Sequence, residues 1–368
     1  MALPLNDTRT DVRIPWLRVT ANGQVVVGAI EAEVVSNNHY AADRFSTSIA
    51  IGGDAWPGLG LWANEADILL EIQFSLDGGI SYTSLIQGAV DNVTIDFSLG
   101  LVHLEGRDMA ASLIETRTQE TFSNQTASEI ATLLASRHNL NPQISATTTP
   151  VGRYYENEYN SVTLDQFSHA TTEWDLLVFL ARQEGFDVFV QGETLHFQPA
   201  AQPADIAISL RPEEMIDLKM ERSLTLARDI EVVVKSWNSR KNSAFIQRAT
   251  TTRHAGAKKR LGRIQQYIFV QPNLIPDAAL KLAQRKLAEL TRHERTIEVT
   301  MAGELDLTPR SVLMLEGTGS DFDQAYFVDV IERRFGPDHG FIQHIRAKNT
   351  SLGLERTSAA DFADGLVS

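Results

Sequence analysis

Nine histidines, at positions 39, 103, 138, 169, 196, 254, 293, 339 and 344, are the first place to look for metal or acid–base chemistry. A helical zinc site needs two histidines four residues apart, so that both project from one face, and none of the nine forms such an HExxH pair. His169 and Glu173 make the nearest i, i+4 approach, in a context that reads as the start of a helix, where a surface or capping role is expected. Gly317-Thr318-Gly319-Ser320 has the small residues of a phosphate loop but lacks the Lys-Ser/Thr element and precedes no helix, so a hairpin turn is expected. There is no Gly-x-Ser-x-Gly elbow, and without a single cysteine there is no thiolate ligand, thiol nucleophile or disulfide. Carboxylate chemistry of the glycosidase kind would need two Asp or Glu brought together in space, and the sequence selects no pair. The reading is therefore of no catalytic, cofactor-binding or metal-ligating residues.

Other side chains point to surfaces. Arg253, Lys258, Lys259, Arg260 and Arg263 form a basic loop without an apolar face, read as solvated. Trp16, Trp56, Trp62, Trp174 and Trp237 lack the spacing of a base-stacking platform and read as core or interface anchors. The net charge of −14, from 47 acidic and 33 basic residues, disfavours a protein built to grip nucleic acid phosphates. At 43% hydrophobic and 22% charged residues the chain can build cores, and 368 residues exceed the ~250 of one ordinary core, which implies two or three domains. No apolar run approaches the ~18 residues of a membrane-spanning helix, and the N-terminus lacks a signal-peptide core.

The elements that would position these residues are mostly strands. From Arg13 to Arg107 the pattern has period two, with runs at Gln24–Ile30, Phe45–Ile51, Ile68–Phe74, Ser81–Ile86, Val90–Phe97 and Gly100–Leu104, and Asp77-Gly78-Gly79 is a hairpin turn. Thr126 with Glu129 forms a capping box before the stripe Ile130, Leu133, Leu134. A second helix begins near Thr172, with Asp175 three residues on, and ends at Gly185 before a hairpin that closes at Pro199. Residues 200–210 read as a connector. Strands at Ile230–Val234 and Phe245–Ala249 lead to a helix opened by Pro276, then to strands at Thr296–Met301, Ser311–Leu315, Tyr326–Ile331 and Phe341–Ala347.

Two segments share a layout. LLEIQFSLDGGISYTSLIQGAVDNVTIDFSLGLVHLEGRD and SVLMLEGTGSDFDQAYFVDVIERRFGPDHGFIQHIRAKN each run strand, Gly turn, aromatic strand, a Val-Asp step at Val90 or Val328, a second turn and a closing strand. This reads as a duplicated barrel.

The segment TEWDLLVFLARQEGFDVFVQGETLHFQP resembles phage late-control protein D, phage baseplate hub proteins and the N-terminal hub part of type VI secretion VgrG spikes; ELDLTPRSVLMLEGTG with AYFVDVIERRFG resembles the second barrel of that family. The likeness spans most of residues 13–349, one of order and pattern. Arg310 stands where the family would have glycine, and Arg333 and Arg334 where histidine is frequent. The resemblance implies a mainly β fold with an α+β insertion: two similar antiparallel, tail-tube-like β-barrel domains plus a small helix-and-hairpin domain. The expected division is a first barrel over 1–112, the insertion over 113–204, a second barrel over 205–350 and a flexible arm over 351–368. It further implies a non-enzymatic baseplate hub subunit, a homotrimer forming a pseudo-six-fold ring that joins the tail tube to a central spike, with DNA passing through without specific binding. Its place would be the virion, assembled in the bacterial cytoplasm. The alternatives are a tail-associated cell-wall hydrolase and a carbohydrate-binding adhesin.

Overall fold

The structure, a computed structural model, describes residues 13–350 except 39, 53–55, 118–119, 123, 149, 152, 156–157, 161, 164–171, 201–205, 225, 227–229, 239–242, 252–264, 272–273 and 275. The fold is mainly antiparallel β, with two similar barrels and a helix-and-hairpin insertion between them.

The first barrel comprises β1 (Trp16–Ala21), β2 (Gln24–Val25), β3 (Ala29–Asn37), β4 (Arg44–Ala50), α1 (Leu59–Asn64), β5 (Leu69–Ser75), β6 (Thr83–Asp96) and β7 (Leu101–Asp108). Alternate residues enter its core: Leu70, Ile72 and Phe74 from β5, Val102 and Leu104 from β7. The expected strand Gln24–Ile30 is broken at Gly28, whose φ of 94° only glycine adopts freely. The runs Ser81–Ile86 and Val90–Phe97 belong to one strand, β6, bulged between Val90 and Asn92. Gly88 and Gly106 sit where β6 and β7 pass closely: a Cβ on Gly106 would lie 2.2 Å from the Ala89 carbonyl oxygen and 2.3 Å from the Phe45 ring. Gly106→Ala should therefore cost about 1–3 kcal/mol by overpacking, read as a lowered urea midpoint.

The insertion carries α2 (Ala110–Glu115), β8 (Thr121–Phe122), α3 (Ala127–Arg137), β9 (Asn141–Ile144), β10 (Arg153–Tyr155), β11 (Glu158–Asn160), β12 (Val162–Thr163), α4 (Glu173–Glu184), β13 (Phe186–Gln191) and β14 (Thr194–Pro199). Both expected capping boxes form, Thr126 with Glu129 and Thr172 with Asp175, and Gly185 ends α4 in the left-handed region at φ 74°. Ile130, Leu134, Leu176, Leu177, Leu180, Leu195 and Phe197 fill the core between α3, α4 and the hairpin.

The second half comprises β15 (Ile206–Leu210), β16 (Asp217–Arg222), β17 (Ile230–Asn238), β18 (Ser243–Thr250), β19 (Gln265–Val270), α5 (Pro276–Thr291), β20 (Arg295–Ala302), β21 (Val312–Leu315), β22 (Ala325–Gly336) and β23 (Gly340–Asn349). Residues 206–210, read as connector, are the strand β15, which pairs in parallel with β21. Strands β17–β19 and α5 make a separate layer with its own core of Ile230, Val232, Val234, Ala279, Ala283 and Leu287.

The two barrels repeat each other strand for strand. The first is ordered β1-β5-β6-β7-β4-β3 and the second β15-β21-β22-β23-β20-β16. Taking each set in chain order, both read first, fourth, fifth, sixth, third, second. The long strand bulges at the same step, between Val90 and Asn92 in β6 and between Val328 and Val330 in β22. The bulged aspartate pairs with a cation on the neighbouring strand in both, Asp91 with Arg107 and Asp329 with Lys348, each at 2.6 Å. Ser48 Oγ meets His103 Nδ1 at 3.2 Å, and at the matching place Thr300 Oγ1 meets His344 Nδ1 at 2.8 Å. The repeats differ in one pairing: β1 runs antiparallel to β5, whereas β15 runs parallel to β21.

The barrels merge into one 13-stranded sheet because the far half of β22 pairs with β3, from Val330–Asn37 to Phe335–Ala32. At that seam Phe341 stacks on Phe74 with ring centroids 4.7 Å apart, and Phe335 packs edge-on against the same ring at 6.0 Å. The tip of the second barrel thus sits in the core of the first.

Candidate functional site

The strongest concentration of perturbed charge lies where the first barrel, the insertion and the second half meet. Asp43, in the turn from β3 to β4, and Asp108, at the end of β7, are locked by backbone bonds. The Asp43 N–H donates to Asp108 Oδ2 at 3.1 Å, the Ala110 N–H donates to Asp108 Oδ1 at 3.0 Å, and the Asn37 N–H donates to Asp43 Oδ1 at 2.9 Å. Ala42, beside Asp43, belongs to the insertion core, and Trp174 Nε1 donates to the Tyr40 carbonyl at 2.7 Å. Two residues of this turn therefore plug the first barrel into the insertion.

Arg310 reaches into this junction from the loop before β21. Its guanidinium lies 3.5 Å over the Phe189 ring of β13, and its charge acts on Asp43, Asp108, Asp187 and Tyr40. Burial pushes the Asp43 carboxyl up to about 6 despite its hydrogen bonds. Burial, reinforced by the charge of Asp43, pushes Asp108 up to about 8. Burial also lowers Arg310 and Arg292, the latter set beside Asp187 and Glu289. The result is a buried junction of carboxyl and guanidinium groups drawn from three parts of the chain.

Two smaller knots flank it. Glu173, fully buried at the start of α4, accepts from Arg137 and meets His138 Nε2 at 2.6 Å, tying α4 to the end of α3. Arg333, 2% exposed, donates from Nε to the Glu304 carbonyl at 2.9 Å and from Nη2 to the Leu307 carbonyl at 2.5 Å, while Arg13 reaches Glu304 Oε1 at 2.7 Å.

These contacts hold elements together. Both oxygens of Asp108 already accept backbone N–H groups. Among the described residues no group of three or more His, Asp or Glu is placed to hold a metal ion. His169 and the basic loop Arg253–Arg263 lie outside the described residues. Glu173, the residue four positions after His169, is occupied by Arg137 and His138. Gly317 and Gly319 adopt positive φ in the turn between β21 and β22, where Asp323 accepts from the Thr318 and Gly319 N–H groups, a self-contained loop. Trp62 and Trp174 are buried anchors, whereas Trp16 and Trp237 are about half exposed, at 52% and 46%. Sequence reasoning missed Asp43 and Asp108. Its one signal toward Arg310 and Arg333 was that arginine stands where other residues are usual.

Solved structures share this architecture. A 43 kDa tail protein of prophage MuSo2 from Shewanella oneidensis superposes with a TM-score of 0.67 at 15% identity, covering 91% of this chain and 98% of its own. A tail protein from Neisseria meningitidis MC58 gives 0.68 at 16% identity, covering 92% and 98%. An E. coli type VI secretion component, described as structurally similar to the T4 phage tail proteins gp27 and gp5, gives 0.56 at 11%, covering 93% and 79%. No curated protein matches the sequence significantly. The family model described as the Alg8 N-terminal domain matches residues 83–335, which run from the first residue of β6 into the matching strand β22. Since that span exceeds half of the 368 residues, the chain belongs to the Alg8 N-terminal domain family.

Proposed function

We propose that this chain is a structural hub subunit of a contractile phage tail or a related injection machine. The observation that carries this reading is the pair of barrels with one strand order, merged side by side in a single sheet. Such a repeat turns one polypeptide into two quasi-equivalent blocks, the economical way to fit a ring of few subunits onto a tube of higher symmetry. The superposition on tail and type VI secretion proteins over more than nine-tenths of the chain supports the same class of machine.

In this reading the protein is a homotrimer whose six barrels surround a channel, with the tail tube on one face and the central spike on the other. The late-control protein D group is the nearest functional description. The division into barrels over 1–112 and 205–350, an insertion over 113–204 and an arm over 351–368 serves that arrangement. DNA or effector passes through without specific binding, in keeping with a net charge of −14. No helix among the described residues is long and apolar enough to cross a membrane, and the virion baseplate is the proposed location.

The role is non-catalytic. The solved structures it superposes on are tail and type VI secretion proteins, which supports this reading. The closely engaged carboxyl pair, Asp43 and Asp108, is built into the junction. Peptidoglycan zymograms should stay dark; lysis abolished by Asp43→Asn would favour the hydrolase instead. Electron microscopy of the purified protein should show three-fold rings with six similar lobes. A strict monomer by light scattering, even with a spike protein present, would overturn the hub reading.

A further inference from the structure

The internal repeat predicts its own continuation. Within the chain, the far half of β22 does not pair with its own barrel on its outer side; it pairs with β3, the second strand of the other barrel. The strand that corresponds to β22 is β6, and the strand that corresponds to β3 is β16. Among the described residues the far half of β6, residues 92–96, pairs only with β7, and β16 pairs only with β20. Each chain therefore carries two unfinished sheet edges that are the counterparts of the two edges already joined inside it. Unprotected edges of this kind recruit another strand.

We infer that the edge of β6 over residues 93–96, with Phe97 just beyond its end, binds β16 of a second copy of this chain, antiparallel and in the register of the β22–β3 seam. Matching the barrels through their shared bulge equates Val330 with Asn92 and Phe335 with Phe97. Matching them through β4 and β20 equates Glu33 with Lys219 and Val34 with Met220. The seam inside the chain pairs Arg334 with Glu33, Arg333 with Val34 and Phe335 with Ala32. Transferred to two copies, it pairs Asp96 with Lys219, Ile95 with Met220, Phe97 with Leu218, Thr94 with Glu221 and Val93 with Arg222.

Two independent features agree with this transfer. Arg334 and Glu33 form an ion pair at 3.1 Å inside the chain, and their counterparts Asp96 and Lys219 are again of opposite charge, with the signs exchanged. The charge complementarity survives although neither residue type does. The exposed apolar side chains also fall where the seam needs them. Phe97 is 74% exposed and Met220 43%, whereas the counterpart of Met220 in the seam, Val34, is fully buried and the partner of Phe335, Ala32, is 4% exposed. A depression of about 410 Å³ spans β16 and β20, lined by Lys219, Met220 and Glu221 with Thr296 and Glu298.

Because the two edges differ, the contact is head-to-tail, and repeated it gives either a closed ring or an open filament. Closure after three chains rests on the hub reading above; the pairing of the edges does not. The chain has no cysteine, so a Thr94→Cys/Glu221→Cys variant of the full chain carries the only two thiols present. Paired residues in an antiparallel ladder lie within disulfide reach, whereas diagonal neighbours fall at its limit. On mild oxidation this variant should run as covalent multimers on a non-reducing gel, far more completely than the off-register Asn92→Cys/Glu221→Cys control. Lys219→Glu, a substitution at an exposed position, should weaken self-association at least tenfold in sedimentation velocity. Rings that form but cross-link equally in both cysteine variants, and tolerate Lys219→Glu, would overturn the edge pairing and leave the ring standing. A chain that stays monomeric at every concentration would overturn both.

Discussion

Arg310→Ala is expected to lower the unfolding free energy by about 3–5 kcal/mol, the range for removing one partner from a buried charge cluster. The variant removes the cation whose charge acts on Asp43, Asp108 and Asp187, and strips the guanidinium from the Phe189 ring. Arg310→Lys keeps the charge but not the planar stacking, so a smaller loss of about 1–2 kcal/mol is expected. Urea denaturation followed by tryptophan fluorescence measures both, since Trp174 bonds the Tyr40 carbonyl at the same junction. If the two variants unfold at the wild-type midpoint, the junction is not held by Arg310. The effect should extend to geometry as well as stability. Arg310 comes from the second half of the chain, Phe189 from the insertion and the two aspartates from the first barrel, so its loss frees the insertion relative to both barrels. Limited proteolysis reads that release as faster cleavage.

Much of the local structure was legible in the sequence. Thr126 with Glu129 and Thr172 with Asp175 announce helix starts because side chains three residues apart can cap each other, and Gly185 announces a stop because it tolerates positive φ. The Val-Asp step marked the repeat, and it turns out to be the bulge around which both barrels are matched. What was not legible depends on partners far away in the chain. The bulge let one strand look like two, because the extra residue at Asp91 resets the alternation. The six-residue helices α1 and α2 are too short to show a helical stripe. β15 reads as a connector because its burial comes from β21, a hundred residues on. Asp43 and Asp108 carry no local mark at all: what distinguishes them from other aspartates is the burial imposed by three converging elements. Arg310 was visible only as an oddity, an arginine where a turn favours glycine, and the structure gives the reason in the carboxylates it faces.

The same junction should make stability fall as pH rises through the neutral range, the reverse of the usual acid behaviour. Asp108 titrates near 8 in the folded protein, far above its ordinary value of 3.8. Between those values the folded state holds a proton that the unfolded chain has released, so folding is favoured at low pH and the advantage disappears as pH climbs through 8. Asp43, near 6, acts with the same sign but has largely lost its proton above neutrality. His196, which burial lowers, works in the opposite direction below its ordinary 6.5, and the turn aspartates Asp77, Asp96 and Asp323, held low by hydrogen bonds, act only at still lower pH. A window from pH 7 to 8.5 therefore isolates Asp108, and across it about 1 kcal/mol of stability should be lost. Asp108→Asn cannot release that proton, so its stability should be flat across the window whatever its absolute value. Because the Arg310 charge favours the ionised carboxyl, Arg310→Ala raises Asp108 further and steepens the loss toward alkaline pH. A wild-type urea midpoint that holds constant or rises from pH 7 to 8.5 would show that Asp108 is ionised in the folded state, with Arg310 and the two backbone N–H groups outweighing its burial.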